Sequence, residues 1–324
     1  MSLSVNSPAI PADPTRKIHD PVPRVAVLLA TYNGINYINS QVESLLRQVS
    51  CDVNVWVSDD QSTDGTWEWL CERCSVEPRV LLLPRIGRFG NAARNFYRLL
   101  REVDFSAYHY VALSDQDDIW FTEKLALSIQ QLREHKAAAV SSNVIALWPT
   151  GRKKLIQKAQ QQRRLDFLFE SAGPGCTYVI TAECVASFGR FLTNNRDEVE
   201  AIQFHDWMLY AWARSHGFVW HIERRPTMLY RQHDKNEYGA NSGWNALGRR
   251  IAQVRSGWYR DEILKISRLI RQGSSFTAEC AATIRLVEEH TIMSRAMLAT
   301  KVYELRRKVN DRAWLVLACL LGGI

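Results

Sequence analysis

Apolar residues in this chain come first as short unbroken runs and later as widely spaced stripes. The run Val25 to Ala30 in "RVAVLLATYNG" stops at polar residues and Gly34, the pattern of a strand buried on both faces that feeds a loop. In "INYINSQVESLLRQV", Ile38, Val42, Leu45, Leu46 and Val49 recur at helical spacing. "VNVWVSDD" is a second β-rich run, and "STDGTWEWLCERC" reads as a turn entering a helix. "RVLLLPR", "NAARNFYRLLREV" and "YHYVALSD" add strand, helix and strand, giving β-α-β-α-β-α-β in about one hundred residues.

Such alternation predicts an α/β fold with a mainly parallel sheet flanked by helices, whose ligands bind outside the carboxyl ends of the strands. The polar residues at those ends are Thr31, Tyr32 and Asn33, then Asp59 and Asp60, then Asp115, Gln116, Asp117 and Asp118. They are expected to line one crevice.

Beyond residue 135 the alternation weakens. A strand is expected at 138–147, followed by the basic, glutamine-rich "TGRKKLIQKAQQQRRL", and "GPGCTYVIT" carries the glycines of a tight loop before another strand. From about 244 to 318 helical periodicity runs without proline, which predicts a separate helical appendage over 240–324. "WLVLACLLGGI" is apolar but shorter than a bilayer span, and it follows the basic "KVYELRRKVNDR". That pairing suits a helix lying at a membrane surface and equally one packing on the domain or on another chain. The opening "MSLSVNSPAIPADPTRKIHDPVPR" contains five prolines and no signal-length apolar core, so residues 1–23 are expected to be a disordered leader.

At 324 residues, 46% hydrophobic and 23% charged, the chain is an ordinary globular one with room for a full core, and neither disorder nor a fibrous design is indicated. The net charge of +7 points to an anionic partner or to no more than solubility. Seven scattered cysteines argue for reduced thiols, and Cys71 with Cys74 lacks the second ligand pair of a zinc site.

Asp115 and Asp117, two apart beyond a strand, would face one hard cation, with Asp118 turned elsewhere. Magnesium or manganese takes oxygen ligands, and magnesium usually takes only one or two carboxylates, so this sparse set implies a phosphate-bearing substrate. One aspartate would suffice to cap the helix "TEKLALSIQQL", for which Thr122 is another candidate; three in four positions repel one another without a cation. Asp59 is a candidate for recognising a base or ribose, whereas Asp64-Gly65 reads as a turn.

"VLLATYNG", "VSDDQSTDGT" and "ALSDQDDIW", in this order, resemble the nucleotide-binding half of family 2 glycosyltransferases of the GT-A fold, and most of all the rhamnosyltransferase-like branch that builds bacterial surface polysaccharides. The resemblance extends through "GPGCTYVI", "FHDWMLYAWA" and "YRQHDKNEYG" over about residues 24–239, with 24–120 as the nucleotide half and 121–239 as the acceptor half. It implies that Thr31, Tyr32, Asn33, Asp59 and Asp60 surround the nucleotide. Asp115 and Asp117 become the DxD-type pair at a metal-bound diphosphate, with Arg94 and Arg231 as contacts of the nucleotide sugar, while His233 is open between a diphosphate contact, a metal ligand and a satisfied loop histidine. The catalytic base falls at Asp206, with Gly175, Cys176, His205 and Trp207 on the acceptor side. Where the family often has Glu-Asp this chain has His205-Asp206, and the residues alone leave Asp206 open between base and helix cap.

The implied reaction is an inverting, metal-dependent transfer of one sugar, rhamnose or another hexose, from a dTDP- or UDP-linked donor to a lipid-linked oligosaccharide on the cytoplasmic face of a bacterial membrane. The QxxRW motif of processive synthases is missing, which is similar to enzymes that add one sugar and release. A sugar nucleotidyltransferase would want a glycine-rich basic loop after the first strand, and a dinucleotide oxidoreductase would want GxGxxG there; neither is found. A non-catalytic basic protein binding membrane or nucleic acid leaves the aspartates unexplained. Nucleic acid is therefore not expected as a partner, and self-association through the C-terminal helices stays open. Trp207, Trp212 and Trp220 are read as core for at least two of the three.

Overall fold

The structure, a computed structural model, describes residues 21–233 and 256–324. Most of the expected leader, together with Lys235 and Asn236, lies outside the described residues.

Strands β1 (Arg24–Thr31), β2 (Asp52–Asp59), β3 (Val80–Leu82) and β4 (Tyr110–Ser114) alternate with helices α1 (Ile38–Leu46), α2 (Thr66–Val76) and α3 (Ala92–Glu102), as the apolar runs predict. These four strands pair in parallel in the order β3-β2-β1-β4. After them come β5 (Ile119–Trp120), α4 (Lys124–Glu134), β6 (Ala139–Leu147), β7 (Lys153–Ile156), β8 (Val179–Thr181), α5 (Ala182–Asn194), α6 (Arg196–Glu200), α7 (His205–Ser215) and β9 (Trp220–Arg231). The sheet continues from β4 through β8, β6 and β9 to β5, with β7 paired to β6. Here antiparallel pairings dominate and only β6 and β9 run parallel, so the sheet as a whole is mixed where a mainly parallel one is expected. The hairpin β6-β7 and the short β8 and β5 need no helical crossover, which is what permits antiparallel neighbours.

Alternating side chains send β1 into two cores. Val25, Val27 and Leu29 pack with Ile38, Val42 and Leu45 of α1, while Ala26 and Leu28 face Phe96, Tyr97 and Leu100 of α3. Leu28 is fully buried, and truncating such a leucine to alanine typically costs about 2–5 kcal/mol.

The remaining helices are α8 (Trp258–Ile270), α9 (Ala278–Glu289), α10 (Ile292–Thr300), α11 (Val302–Leu305) and α12 (Val309–Leu321). They are helical as expected but not a separate appendage. Ile263, Ile266, Leu298, Leu305 and Leu315 join Met208 and Trp212 of α7 in the core on the α3 side of the sheet. Buried Arg307 pairs with Asp166 and Glu170, each at 3.5 Å. Periodicity shows that a helix has an apolar stripe and is silent on what the stripe meets, which is why the union was not legible.

Candidate active site

The carboxyl ends of β1, β2 and β4 open on a crevice of about 940 Å³. Thr31, Tyr32, Asp60, Asp115 and Asp117 line one part of it, and Gly175, His205 and Asp206 line another. The chain thus brings together residues from both expected halves.

Backbone hydrogen bonds shape the first wall. The side chain of Gln116 clamps Tyr32 at two points, its Oε1 accepting from the Tyr32 N–H at 2.8 Å and its Nε2 donating to the Tyr32 carbonyl at 2.8 Å. A side chain on Gly34 would collide with Gln116, so this loop requires glycine there. Asn33 adopts a left-handed φ of 48°; its N–H donates to Ser62 Oγ and its Oδ1 accepts from the Thr63 N–H, both at 2.8 Å. The amide thereby ties the β1 loop to the β2 loop and does not line the crevice.

Asp59 and Asp60 divide their work. Asp59 is buried and its carboxylate accepts from Thr31 Oγ1, from the Ser62 N–H and hydroxyl, and from the Arg85 guanidinium at 2.8 Å. It holds the loop and stands behind the crevice wall. Asp60 reaches the crevice and accepts from the Phe89 and Gly90 N–H groups, fixing the loop between β3 and α3.

That loop carries Arg88, which the sequence reading missed and which lines the crevice. Its guanidinium donates to the Tyr32 hydroxyl at 2.9 Å and lies 4.9 Å from the ring centre. Arg94 is not brought to the site: its Nε donates to the Glu200 carbonyl at 2.9 Å, and it does not line the crevice. A basic, glycine-bracketed "RIGRFG" is the signal that points to Arg88.

None of the aspartates after β4 caps α4, whose N-cap is Glu123 without a side-chain bond. Asp115 and Asp117 face the crevice, and Asp117 Oδ2 lies 2.7 Å from Nε2 of His233. His233 stacks on Tyr37 at 4.9 Å, and the Arg231 guanidinium lies 5.3 Å from the Tyr37 ring centre while donating to Ser40 Oγ. Asp118 is fully buried and accepts from the Arg231 N–H. Burial, then the neighbouring Asp117 and Asp115, push its carboxyl well above the usual range. Ligand atoms of Asp115, Asp118 and Cys176 lie within 4.8 Å of one another. Burial also raises the Cys176 thiol, and below it buried Lys124 donates to the Cys176 and Thr177 carbonyls, both at 3.2 Å, with burial lowering its ammonium to about 8. Asp115 and Asp117 line the crevice and the buried Asp118 carboxylate lies close to Asp115, an oxygen-rich loop that fits a hard divalent cation.

On the facing wall, Asp206 sits in the first turn of α7, whose N-cap is Phe204, and its Oδ1 accepts from the Trp207 N–H at 2.7 Å. Burial raises the carboxyl to about 6, against the opposing pull of that hydrogen bond and of Lys158. His205 stacks on Phe96 at 4.1 Å, its Nε2 has no partner among the described residues, and burial lowers it to about 3, so the ring is neutral. Cys176 is buried behind the wall, and Trp207 is core, its Nε1 donating to the Phe167 carbonyl at 2.9 Å. Trp212 and Trp220 are core as well. Lys158, Lys154, Arg152 and Lys308 add a basic margin that the sequence reading left unassigned.

Residues 26–191 match the family model described as glycosyl transferase family 2. Over 296 residues the chain is 41% identical to the dTDP-rhamnosyl transferase RfbG of Shigella flexneri, covering 91% of this chain and 99% of that one. It is 25% identical over 159 residues to WfgD of Escherichia coli, a UDP-Glc:alpha-D-GlcNAc-diphosphoundecaprenol beta-1,3-glucosyltransferase, covering 48% of this chain and 59% of the relative. Among solved structures, residues 1–349 of S. aureus TarS in complex with UDP superpose with a TM-score of 0.53 at 14% identity, covering 93% and 88% of the two chains. The mannosyltransferase PcManGT of Pyrobaculum calidifontis, in complex with GDP-Man and Mn2+, gives 0.52 at 17% identity, covering 93% and 86%. At such identities these two speak for the fold.

Proposed function

The chain belongs to glycosyl transferase family 2 and is a glycosyltransferase, and from that premise we propose that it moves one sugar, rhamnose or another hexose, from a dTDP- or UDP-linked donor to a hydroxyl of a lipid-linked oligosaccharide in surface polysaccharide synthesis, with inversion. The observation that carries this reading is the placement of Asp206 in the same crevice as Asp115 and Asp117, so that an acceptor hydroxyl and a donor diphosphate would meet between them. The dTDP-rhamnosyl relative favours rhamnose, and the diphosphoundecaprenol named for the Escherichia coli relative favours a lipid diphosphate acceptor.

In this reading Thr31, Tyr32 and Asp60 form the nucleotide wall, with Asp59 and Asn33 bracing it from behind. Asp115 and Asp117, with His233 in reach of Asp117, would hold Mg2+ or Mn2+. Such an ion, when bound, supplies positive charge to the diphosphate leaving group. Arg88 adds a second cation on the donor side. Asp206 accepts the proton of the acceptor hydroxyl as its oxygen bonds to the anomeric carbon and the bond to the diphosphate breaks on the opposite face. The proton ends on the carboxyl and the electron pair on the nucleoside diphosphate, with no covalent enzyme intermediate. Gly175 and the neutral His205 shape the space beside Asp206, and the basic margin of Lys154, Lys158 and Lys308 suits the acceptor's phosphates.

Calorimetric binding of dTDP, UDP and GDP with and without Mn2+, on the intact chain and on Asp117→Ala, tests the donor site. Metal-dependent binding of one nucleotide, lost in the variant, is expected. No binding by the folded chain would overturn the reading.

A further inference from the structure

We propose that the exposed face shared by α10 and α12 is a docking surface for an anionic lipid bilayer. Helix α10 presents Ile292, Met293 and Met297 to solvent, with Ile292 80% exposed. Helix α12 presents Val309, Leu317, Leu320 and Leu321, with Leu320 71% exposed. On α12 the spacing 309, 313, 317, 320 follows one helical stripe, and Ala313 keeps it free of charge.

The two stripes form one surface. The helices pack together, His290 Nε2 lies 3.1 Å from the Gly322 carbonyl oxygen, and a Cβ on Gly322 would come within 2.5 Å of the Arg295 guanidinium. The start of α10 therefore meets the end of α12, which brings Ile292 and Met293 beside Leu320 and Leu321. Isolated exposed apolar residues are common, but a contiguous set of this kind marks an interaction surface.

Charge selects the partner. Between 291 and 324 there are six basic residues and two acidic ones, Glu304 and Asp311. Arg306 and Arg307 are used inward against Glu170 and Asp166, and Arg312 donates to the carbonyls of Arg306 and Arg307, which leaves Arg295, Lys301 and Lys308 around the patch. An apolar face bordered by cations fits acyl chains beneath anionic headgroups better than it fits an identical, equally basic copy of itself. No described helix is long and apolar enough to cross a membrane, so the contact would be interfacial. Lys308, which immediately precedes α12, also lines the crevice, so the crevice opens beside this face.

The purpose of docking rests on the lipid-linked acceptor reading, but its measurement does not. The full chain is sedimented with phosphatidylglycerol-containing vesicles and with pure phosphatidylcholine vesicles, alongside Ile292→Asp/Leu320→Asp. Binding to the anionic vesicles, weakened by salt and reduced about tenfold or more in the variant, is expected. No binding to either vesicle, or equal binding by the variant, overturns the proposal. A dimer in light scattering that the variant converts to monomer, without vesicle binding, overturns it in favour of a second copy. Circular dichroism and nucleotide binding of the variant show that it is folded. Transfer to a short, water-soluble acceptor separates the two readings: transfer by an intact chain that binds neither vesicle sinks only the docking surface, and docking by an intact chain that shows no transfer sinks only the proposed reaction.

Discussion

His233 Nε2 lies 2.7 Å from Oδ2 of Asp117 although 116 positions separate them in the chain. The chain beyond β9 brings His233 to the loop that follows β4, although β8 and β6 lie between those two strands in the sheet. If the pair holds the cation together, Asp117→Ala lowers Mn2+-dependent nucleotide affinity more than about tenfold, and His233→Ala lowers it less. The double variant then loses less than the product of the two, because both act on one contact. Calorimetric titration of the three variants measures this, and strict additivity would separate the two residues.

For Asp206, replacement by Asn keeps shape and removes the base. The expected loss in kcat is about 10²–10⁴-fold with nucleotide affinity unchanged. In the intact enzyme, kcat/KM should rise with pH through about 6, where burial places this carboxyl, and then level off. A profile flat across that interval would remove Asp206 as the base.

The same burial has a cost in stability. The carboxyl moves from an ordinary value of 3.8 in the unfolded chain up to about 6 in the folded one, so the folded state holds the proton more tightly. Its contribution is fully present below about pH 3.8 and is lost as pH rises through about 6. Asp206→Asn should therefore stabilise the protein at neutral pH by about 1–2 kcal/mol and raise its Tm, an advantage that shrinks on acidification. Thermal melts at both pH values test the sign.

Much of the stretch from 24 to 120 was legible because β1 and β4 are apolar on both faces, β2 carries Val53, Val55 and Val57 on one, and all three stop at polar residues, so the pattern marks both the strand and the crevice edge. The β5 pair Ile119–Trp120 is too short to stand out between an aspartate loop and a helix. Direction of reach was the harder question. Arg94 begins a helix and looks as available as Arg88, yet the Glu200 carbonyl holds one on the outside and the Tyr32 hydroxyl holds the other at the crevice. Asp59 and Asp60 are adjacent and chemically identical, and Thr31, Ser62 and Arg85, brought from 28, 3 and 26 positions away, make Asp59 the brace. Such assignments depend on partners distant in the chain, which local pattern does not carry.

Gly175 is tested by a single methyl group. A Cβ there would lie 2.5 Å from His205 Nε2 and 3.2 Å from the Asp206 Cβ, and His205 has little freedom because it stacks on Phe96. Gly175→Ala should lower stability by about 1–3 kcal/mol and depress kcat by shifting Asp206. Adding His205→Ala should recover much of the stability by vacating the space. Denaturant melts and rates for the single and double variants decide it, and an unaffected single variant would show that His205 yields freely.

Arg88 and Arg94 give a paired comparison that separates reach from sequence position. Arg88 lines the crevice and rests on Tyr32, while Arg94 donates its Nε to a carbonyl on the other side of the loop. A guanidinium that meets a diphosphate contributes a charge-assisted hydrogen bond of about 1.5–3 kcal/mol, so Arg88→Ala should weaken nucleotide binding by roughly 10- to 100-fold. Arg94→Ala should leave binding within about twofold and lower the melting temperature instead, because it releases the anchor between the α3 start and Glu200. Nucleoside monophosphates sharpen the comparison: a contact with the terminal phosphate makes the Arg88→Ala penalty largest for the diphosphate and small for the monophosphate. Equal penalties for the two nucleotides would move Arg88 from the phosphates to the base or ribose, and a larger effect from Arg94 would reverse the assignment altogether.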